Sequence, residues 1–435
     1  MKKVLVIAYY YPPLADVGGN RTVRFVKNMG IYGWTPHVLT VRNPDANYCR
    51  IGNERPPENI PITRAFSIFN SNKIFGKING VLFRIRKLFP LFKIDTRIQE
   101  ILEIPDPLHG WIIPAYLSGK RILECEQYDL IYASVSPLGG GLIANWLSAK
   151  YKIPYIVDAR DPISVKIAGK KPSTFREKCI DKCENVIIKN CSKFITTSNA
   201  TAYAYKKYYP NHINKICRIY NSYDEVTFKE QNINETLLGK EMFRIIYIGH
   251  SYADTLDVSP FFIALREFIS EENIKPSDII FWIIGSRKAD FEKIVDRNGL
   301  KEVVKFIDWM SKEEMFFYLR TSDLFLIRNP YKTNIGAKLF NGLAVDIPIL
   351  SLDENEDVEY LIKKYAREYL LLNNANIIEI KSYLKKLYYS NKDSSVKPYN
   401  KNFILKFNGV NLTEELCNLF NEVIERDEMY DKIIM

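Results

Sequence analysis

The sequence predicts an α/β protein made of two Rossmann-like parallel-sheet domains facing each other across a cleft. Short apolar runs of strand length alternate with stretches of helical spacing along most of the chain. Several of these runs end in small-residue or glycine turns that open a helix. The alternation is interrupted by a polar, irregular stretch from Thr227 to Lys240 and then starts again, and 435 residues at 47% hydrophobic content suffice for two separate cores.

Val4-Leu5-Val6-Ile7-Ala8 is the first strand, apolar on both faces as a buried parallel strand must be. It ends at Tyr9-Tyr10-Tyr11-Pro12-Pro13, where proline cannot continue the ladder. A turn at Gly18-Gly19-Asn20 then opens a helix with Val23, Val26 and Met29 on its apolar face and Arg21, Arg24 and Lys27 interspersed. His37 to Val41 is the second strand. Right-handed crossover places the glycine turn at the carboxyl edge of the sheet, where helix N–H groups favour a phosphate or other anion. Gly18 and Gly19 are candidates for that contact, although the pair lacks the GxGxxG spacing and equally suits a plain flexible turn.

Asn43 to Pro61 reads as loop. Lys73 to Arg97 carries seven basic residues against one acid, interleaved with Phe, Ile and Leu, so Arg84, Arg86 and Lys87 are candidates for contact with an anionic membrane surface. A helix packed on the sheet with its cations in water satisfies the same pattern. Asp129 to Ala133 is a strand ending in Ser134-Val135-Ser136-Pro137 and a turn at Gly139-Gly140-Gly141, where the glycines admit a ligand or another chain segment and Ser136 can donate to a ligand. Pro154 to Val157 delivers Asp158-Ala159-Arg160-Asp161-Pro162 to the same edge, where two carboxylates around an arginine also suit a local ion-pair network. A helix from about Thr174 to Asn190 precedes Phe194 to Ser198, predicted as the last strand of a first domain over residues 1–225.

The second domain, residues 241–395, is predicted to have strands at 244–249, 279–285, 304–307, 324–327 and 347–350. An apolar face on Leu412, Leu416, Leu419, Phe420, Val423 and Ile424 marks a closing helix over 410–430. The net charge of +10 calls for an anionic partner, and no nucleic-acid motif is present. Seven cysteines, with no histidine near Cys179, Cys183 and Cys191, read as reduced thiols of a cytosolic protein and predict no metal site. His109, between Pro105-Asp106-Pro107 and Trp111, reads as a structural histidine in a rigid turn.

Tyr9-Tyr10-Tyr11-Pro12-Pro13-Leu14, Gly18-Gly19-Asn20-Arg21, Tyr32-Gly33-Trp34 before the His37 strand, and Pro105 to Trp111 resemble family-4 retaining glycosyltransferases of the GT-B fold, in a bacterial surface-polysaccharide branch. The resemblance implies transfer of a sugar from a nucleotide diphosphate sugar, as substrate and without cofactor or metal, to a glycan or lipid-linked acceptor with retention of configuration. It further implies a cytoplasmic protein at the inner face of the membrane and a closing helix that returns to the first domain. That branch carries Asp-Phe-Arg-Asp-Pro where this chain has Asp158 to Pro162, which makes Asn20, Ser136, Arg160 and Asp161 candidates for acceptor or sugar binding.

For the donor, the resemblance points to Gly249-His250-Ser251, Gly285-Ser286-Arg287 and Asn334 to Asn341. His250, Ser251, Arg287, Lys338 and Asn341 are the candidate contacts, with Lys338 and its helix start facing a diphosphate. The family pattern has an arginine and a lysine in the first loop and two glutamates seven apart in the last. This chain has His250 and Ser251 in the first, and Thr333 and Asn341 in the last. Asparagine for glutamate weakens a ribose contact by on the order of 1 kcal/mol. No catalytic base is evident, and Asp158 and Asp161 stand too close in one loop to act as opposed glycosidase carboxylates. A non-catalytic GT-B subunit and a sugar-nucleotide epimerase are the alternatives.

Overall fold

The protein is described here by a computed structural model. The structure describes residues 1–14, 17–44, 55–68, 103–167, 169–224, 242–249, 258–286, 288–328, 335–372, 376–390 and 396–434. The basic stretch 73–97 and the polar stretch 227–240 lie outside them. The chain divides into two compact units, Met1–Tyr220 with Gly409–Met435, and Asn221–Asn408.

The first unit holds a seven-stranded parallel sheet in the order β3-β2-β1-β4-β5-β6-β7. Its strands are β1 (Lys2–Ile7), β2 (Trp34–Val41), β3 (Ile62–Ala65), β4 (Leu130–Val135), β5 (Tyr155–Ala159), β6 (Lys193–Thr196) and β7 (Ile216–Arg218). Two of these differ from the sequence reading. β3 follows the predicted loop, and β7 replaces β6 as the last strand. Both are short and stand at the two edges of the sheet, where burial on one side leaves no continuous apolar run to read.

Alternate residues of β1 enter two cores, as the period of a strand requires. Leu5 and Ile7 join Ile131, Ala133 and Val157 beneath α2 (Ile112–Cys125), α3 (Gly139–Tyr151) and α4 (Phe175–Asn190). Val4 and Val6 join Tyr132 and Ile156 on the other side, against α1 (Val17–Asn28) and the closing helix, Gly409–Ile434. Leu412, Leu416 and Phe420 of that helix are buried there, with the Phe420 ring centred 5.1 Å from Trp34. Thr174 starts α4 with a capping box: its hydroxyl accepts from the Glu177 N–H at 3.1 Å, and the Glu177 carboxylate accepts from the Thr174 N–H at 3.0 Å.

Both predicted glycine turns prove to be the first turns of helices. Gly18, Gly19 and Asn20 lie in α1, and Gly139 to Gly141 open α3. In α3 the small residues serve packing between chain segments. A Cβ on Gly139 would stand 2.7 Å from Ile112, and one on Gly141 2.8 Å from Ile187. On α1 Val26 is buried as predicted, together with Arg21, Thr22 and Phe25, while Val23 is only partly buried; Met29 is buried in the turn that follows, Met29–Tyr32.

The second unit holds a six-stranded parallel sheet in the order β10-β9-β8-β11-β12-β13. Its strands are β8 (Phe243–Ile248), β9 (Ile279–Ile284), β10 (Val304–Ile307), β11 (Leu324–Ile327), β12 (Ile349–Ser351) and β13 (Tyr369–Leu371). β13 is the strand missing from the sequence reading, a three-residue edge with Tyr369 exposed. One face packs on the Phe261, Phe262, Leu265 and Phe268 side chains of the helix Ser259–Glu271. No described helix is long and apolar enough to cross a membrane.

Candidate functional site

In both sheets the parallel strands deliver their carboxyl ends to one edge, the side on which open α/β sheets bind ligands. In the first unit that edge carries Tyr10 after β1, Ser136 after β4 and Arg160 after β5. The Arg160 guanidinium lies against the first turn of α1. A Cβ on Gly18 would stand 2.8 Å from its Nη2, so glycine is what admits the cation there. Arg160 Nη2 donates to the Ser136 carbonyl at 3.3 Å, and its guanidinium carbon lies 5.9 Å from the centre of the Tyr10 ring. Its Nε is buried without a hydrogen-bond partner among the described residues. The structure thus brings Gly18, Ser136 and Arg160 together. Gly19 instead faces the Tyr10 carbonyl, while Asp161 is exposed and Asn20 half-buried.

The predicted ion-pair network around Arg160 has a different cation. Asp158, fully buried, accepts from Arg21 Nε at 2.7 Å and from the Tyr132 hydroxyl. Arg21 also donates to the Tyr220 carbonyl at 2.7 Å and to Ile219 at 3.1 Å, so one guanidinium ties α1, β5 and the segment after β7. Asp158 therefore holds the frame, and Arg160 is left at the edge. In sequence Arg21 resembled its basic neighbours Arg24 and Lys27.

His109 is structural. It sits in a single helical turn, His109–Trp111, with Nδ1 3.0 Å from the Asp106 carbonyl. Asp106 accepts from the N–H groups of Leu108 at 2.8 Å and Gly139 at 3.0 Å, and burial raises its pKa above the usual carboxylate range.

At the carboxyl edge of the second sheet, Gly249 follows β8 with φ +111° and Gly285 follows β9 with φ +74°, both conformations that glycine accepts without strain. The edge is stitched together by Gly249 N–H donating to Ile284 O at 2.9 Å, Gly285 N–H to Ile307 O at 2.9 Å, and the Ser286 hydroxyl to Gly249 O. Lys338, from the helix Ala337–Leu343, reaches this edge half-buried. Its Nζ donates to the Arg328 carbonyl at 3.2 Å, lies 5.0 Å from the centre of the Tyr247 ring, and would stand 3.5 Å from a Cβ on Gly249. Burial lowers its pKa to about 8, and Asp353 opposes the shift. This is a poorly hydrated ammonium packed beside a glycine, rather than a solvated surface lysine. The helix behind it is only seven residues long, so the ammonium supplies the charge.

Arg328, directly after β11, was not anticipated. Its Nε is buried with no hydrogen-bond partner among the described residues, and its position at a strand's carboxyl end was the available signal.

Asn341 is 3% exposed, one turn beyond Lys338, and its side chain is engaged. Its amide oxygen accepts from the Asp224 N–H at 2.7 Å, and its amide nitrogen donates to the Asp224 carboxylate at 3.0 Å. A side chain predicted to reach a ribose therefore holds the start of the second unit. His250, Ser251, Arg287 and the Thr333 position lie outside the described residues, as do Arg84, Arg86 and Lys87.

No protein-family model and no curated protein matches the chain. Solved structures do. HepE of Anabaena, crystallised with UDP and glucose, is 12% identical with a TM-score of 0.62 over 97% of this chain and 100% of its own. A trehalose-phosphate synthase of Burkholderia vietnamiensis is 10% identical with a TM-score of 0.63 over 97% and 100%. WaaG, a glycosyltransferase of lipopolysaccharide biosynthesis, is 12% identical with a TM-score of 0.58 over 96% and 99%. The two parallel-sheet α/β units carry the GT-B fold of these glycosyltransferases.

Proposed function

We propose that the protein is a glycosyltransferase that moves a sugar from a nucleotide diphosphate sugar to a glycan or lipid-linked acceptor. Lys338 carries this reading: a half-buried ammonium, depressed in pKa, beside Gly249 at the carboxyl edge of a parallel sheet. Such a cation is costly to keep unless an anion completes its surroundings. The departing diphosphate is the anion the reaction generates, and a fixed ammonium stabilises the charge as it develops. The fold shared with HepE and WaaG supports the reading.

In this mechanism the bond between the anomeric carbon and the β-phosphate oxygen breaks and its electron pair leaves with the nucleoside diphosphate. The acceptor hydroxyl bonds to the same face of the sugar, giving retention, and its proton passes to the departing phosphate oxygen. Lys338 holds the leaving group without a metal ion. At the first sheet, Arg160 beside Gly18 and Ser136 orients the acceptor or the sugar. The setting is assembly of a surface polysaccharide on the cytoplasmic side of the membrane, with the basic stretch around Arg84, Arg86 and Lys87 meeting anionic lipid.

The Asn341–Asp224 pair favours a second reading, a non-catalytic subunit of the same fold, because the usual ribose acceptor is both neutral and occupied. Calorimetric titration with UDP, GDP and ADP, combined with a hydrolysis assay on a panel of sugar nucleotides, decides between them. Binding of one nucleotide with slow release of its sugar is expected; silence across the whole panel would leave the subunit.

A further inference from the structure

We propose that Glu184 and Tyr205 are positioning residues that hold Arg160 at the acceptor side of the site, an inference that rests on the role given to Arg160 above. Glu184, on α4, is fully buried, as is Tyr205 on α5 (Asn199–Tyr208). Glu184 Oε1 accepts from the Tyr205 hydroxyl at 2.8 Å and from the Ser164 N–H at 3.1 Å, and its Oε2 accepts from the Tyr209 hydroxyl at 2.7 Å. These donors are neutral, and burial raises the Glu184 pKa above the usual carboxylate range. The nearby Lys166 pairs with Asp181 instead, its Nζ 4.3 Å from the centre of the Tyr209 ring. A carboxyl group is costly to bury, so its place here has to be explained by the groups that need it as an acceptor.

Those groups belong to the chain that leaves β5. Asp158, on the strand, is fixed by Arg21 and Tyr132, and the ladder ends at Ala159. Pro162 has no N–H, so the amides of Ile163 and Ser164 must find partners away from the sheet. The Ile163 N–H donates to the Tyr205 hydroxyl at 3.1 Å, and the Ser164 N–H donates to Glu184. The Tyr205 hydroxyl thus accepts from the loop while donating its own proton to Glu184. Thr197, also fully buried, donates to the Arg160 carbonyl at 2.9 Å. Arg160 is therefore held from both sides, by Asp158 before it and by Glu184 with Tyr205 after it, which keeps its guanidinium against Gly18 and Ser136. Tyr209 binds the same carboxyl group, but its hydroxyl takes no loop amide among the described residues.

The experiment compares wild type with Tyr205→Phe, Tyr209→Phe and Glu184→Gln. Both phenylalanine variants keep the ring and remove one hydrogen bond to Glu184, so both should lower the thermal midpoint alike. Hydrogen exchange at the Ile163 amide, and the rate at which phenylglyoxal modifies Arg160, should each rise about fivefold in Y205F, as loss of one hydrogen bond implies for a local opening equilibrium. Y209F should leave both at the wild-type rate. E184Q keeps a carbonyl oxygen for Tyr205 and Ser164 and should do the same. With the sugar nucleotide that wild type hydrolyses, Y205F should raise the KM for octyl glycoside acceptors about fivefold while release of sugar to water keeps its kcat. Equal opening in Y205F and Y209F, or an Ile163 amide unmoved in Y205F, would overturn the positioning role. Opening confined to Y205F, together with an Arg160→Ala variant that transfers at the wild-type rate, would overturn the acceptor role of Arg160 and leave the anchor standing. Wild type that neither hydrolyses nor transfers would remove the transferase reading, and the exchange results would still decide the anchor.

Discussion

Arg21 and Asp158 form a buried ion pair at 2.7 Å, with the arginine 3% exposed and the aspartate fully buried. The remaining Arg21 donors go to the Ile219 and Tyr220 carbonyls, and Tyr132 donates to the same carboxylate. Burial acts against the Arg21 charge, and Asp158 with Tyr132 outweighs it, so the guanidinium stays protonated. Removing one partner strands the other without water. Arg21→Ala is expected to cost about 3–5 kcal/mol in urea unfolding. Arg21→Ala with Asp158→Asn should lose less than the two single changes summed, which a double-mutant cycle measures.

Asn341 faces Asp224 as both donor and acceptor. Placing an acid there with Asn341→Glu sets two carboxylates against each other, with Lys312 4.0 Å from Asp224 as partial relief. One of the pair is then pushed above its unfolded pKa. A raised carboxylate pKa makes stability highest below the unfolded value and lowers it as pH rises through the folded one. Thermal unfolding of N341E should therefore match wild type near pH 4 and fall behind it by pH 7. A constant deficit at both pH values would show that the charge of Asp224 is not what Asn341 answers.

Lys338 has a pKa lowered to about 8 by burial. A lowered lysine pKa means the folded chain gives up its proton before the unfolded one, so folding gains with rising pH between about 8 and the ordinary lysine value. Anion binding runs the other way. Affinity for a nucleoside diphosphate should be full at pH 7 and decline through pH 8–9 as the ammonium is lost. Lys338→Arg should hold its affinity across that range, and Lys338→Met should lose about tenfold or more at pH 7, as removal of one charge-assisted contact implies. Calorimetry at several pH values checks both.

Two glycine-to-alanine changes should behave oppositely. At Gly18 the added methyl meets the end of the flexible Arg160 side chain, which can move aside. Gly18→Ala should keep stability within about 1 kcal/mol of wild type, since alanine is the better helix residue, while displacing Arg160 and lowering transfer to acceptor. At Gly342 the methyl would stand 2.4 Å from the ring of Phe325 in the core, and Gly342→Ala should cost about 1–3 kcal/mol. Unfolding midpoints of the two variants make the comparison.

The local signals were readable in the sequence. Apolar runs marked β1, β2, β4, β5 and β6 and the five strands β8 to β12 of the second sheet, because a parallel strand covered on both faces tolerates few polar residues. The start of α4 was placed at about Thr174, where the structure shows Thr174 and Glu177 capping the helix. The short edge strands β3, β7 and β13 were not, although β10, an edge strand of four residues, was.

Residue order alone carried the alternation of strand and helix, the two sheets, and which strands deliver Arg160 and the glycines to a carboxyl edge. Which polar groups hold the frame emerges from contacts between distant parts of the folded chain. Arg21 meets Asp158 across 137 positions, and Asn341 meets Asp224 across 117. The burial of Lys338 likewise depends on Tyr247 and Arg328 arriving from other strands. Apolar periodicity is set by each element's own geometry, but the state of a charge is set by the neighbours that exclude water from it.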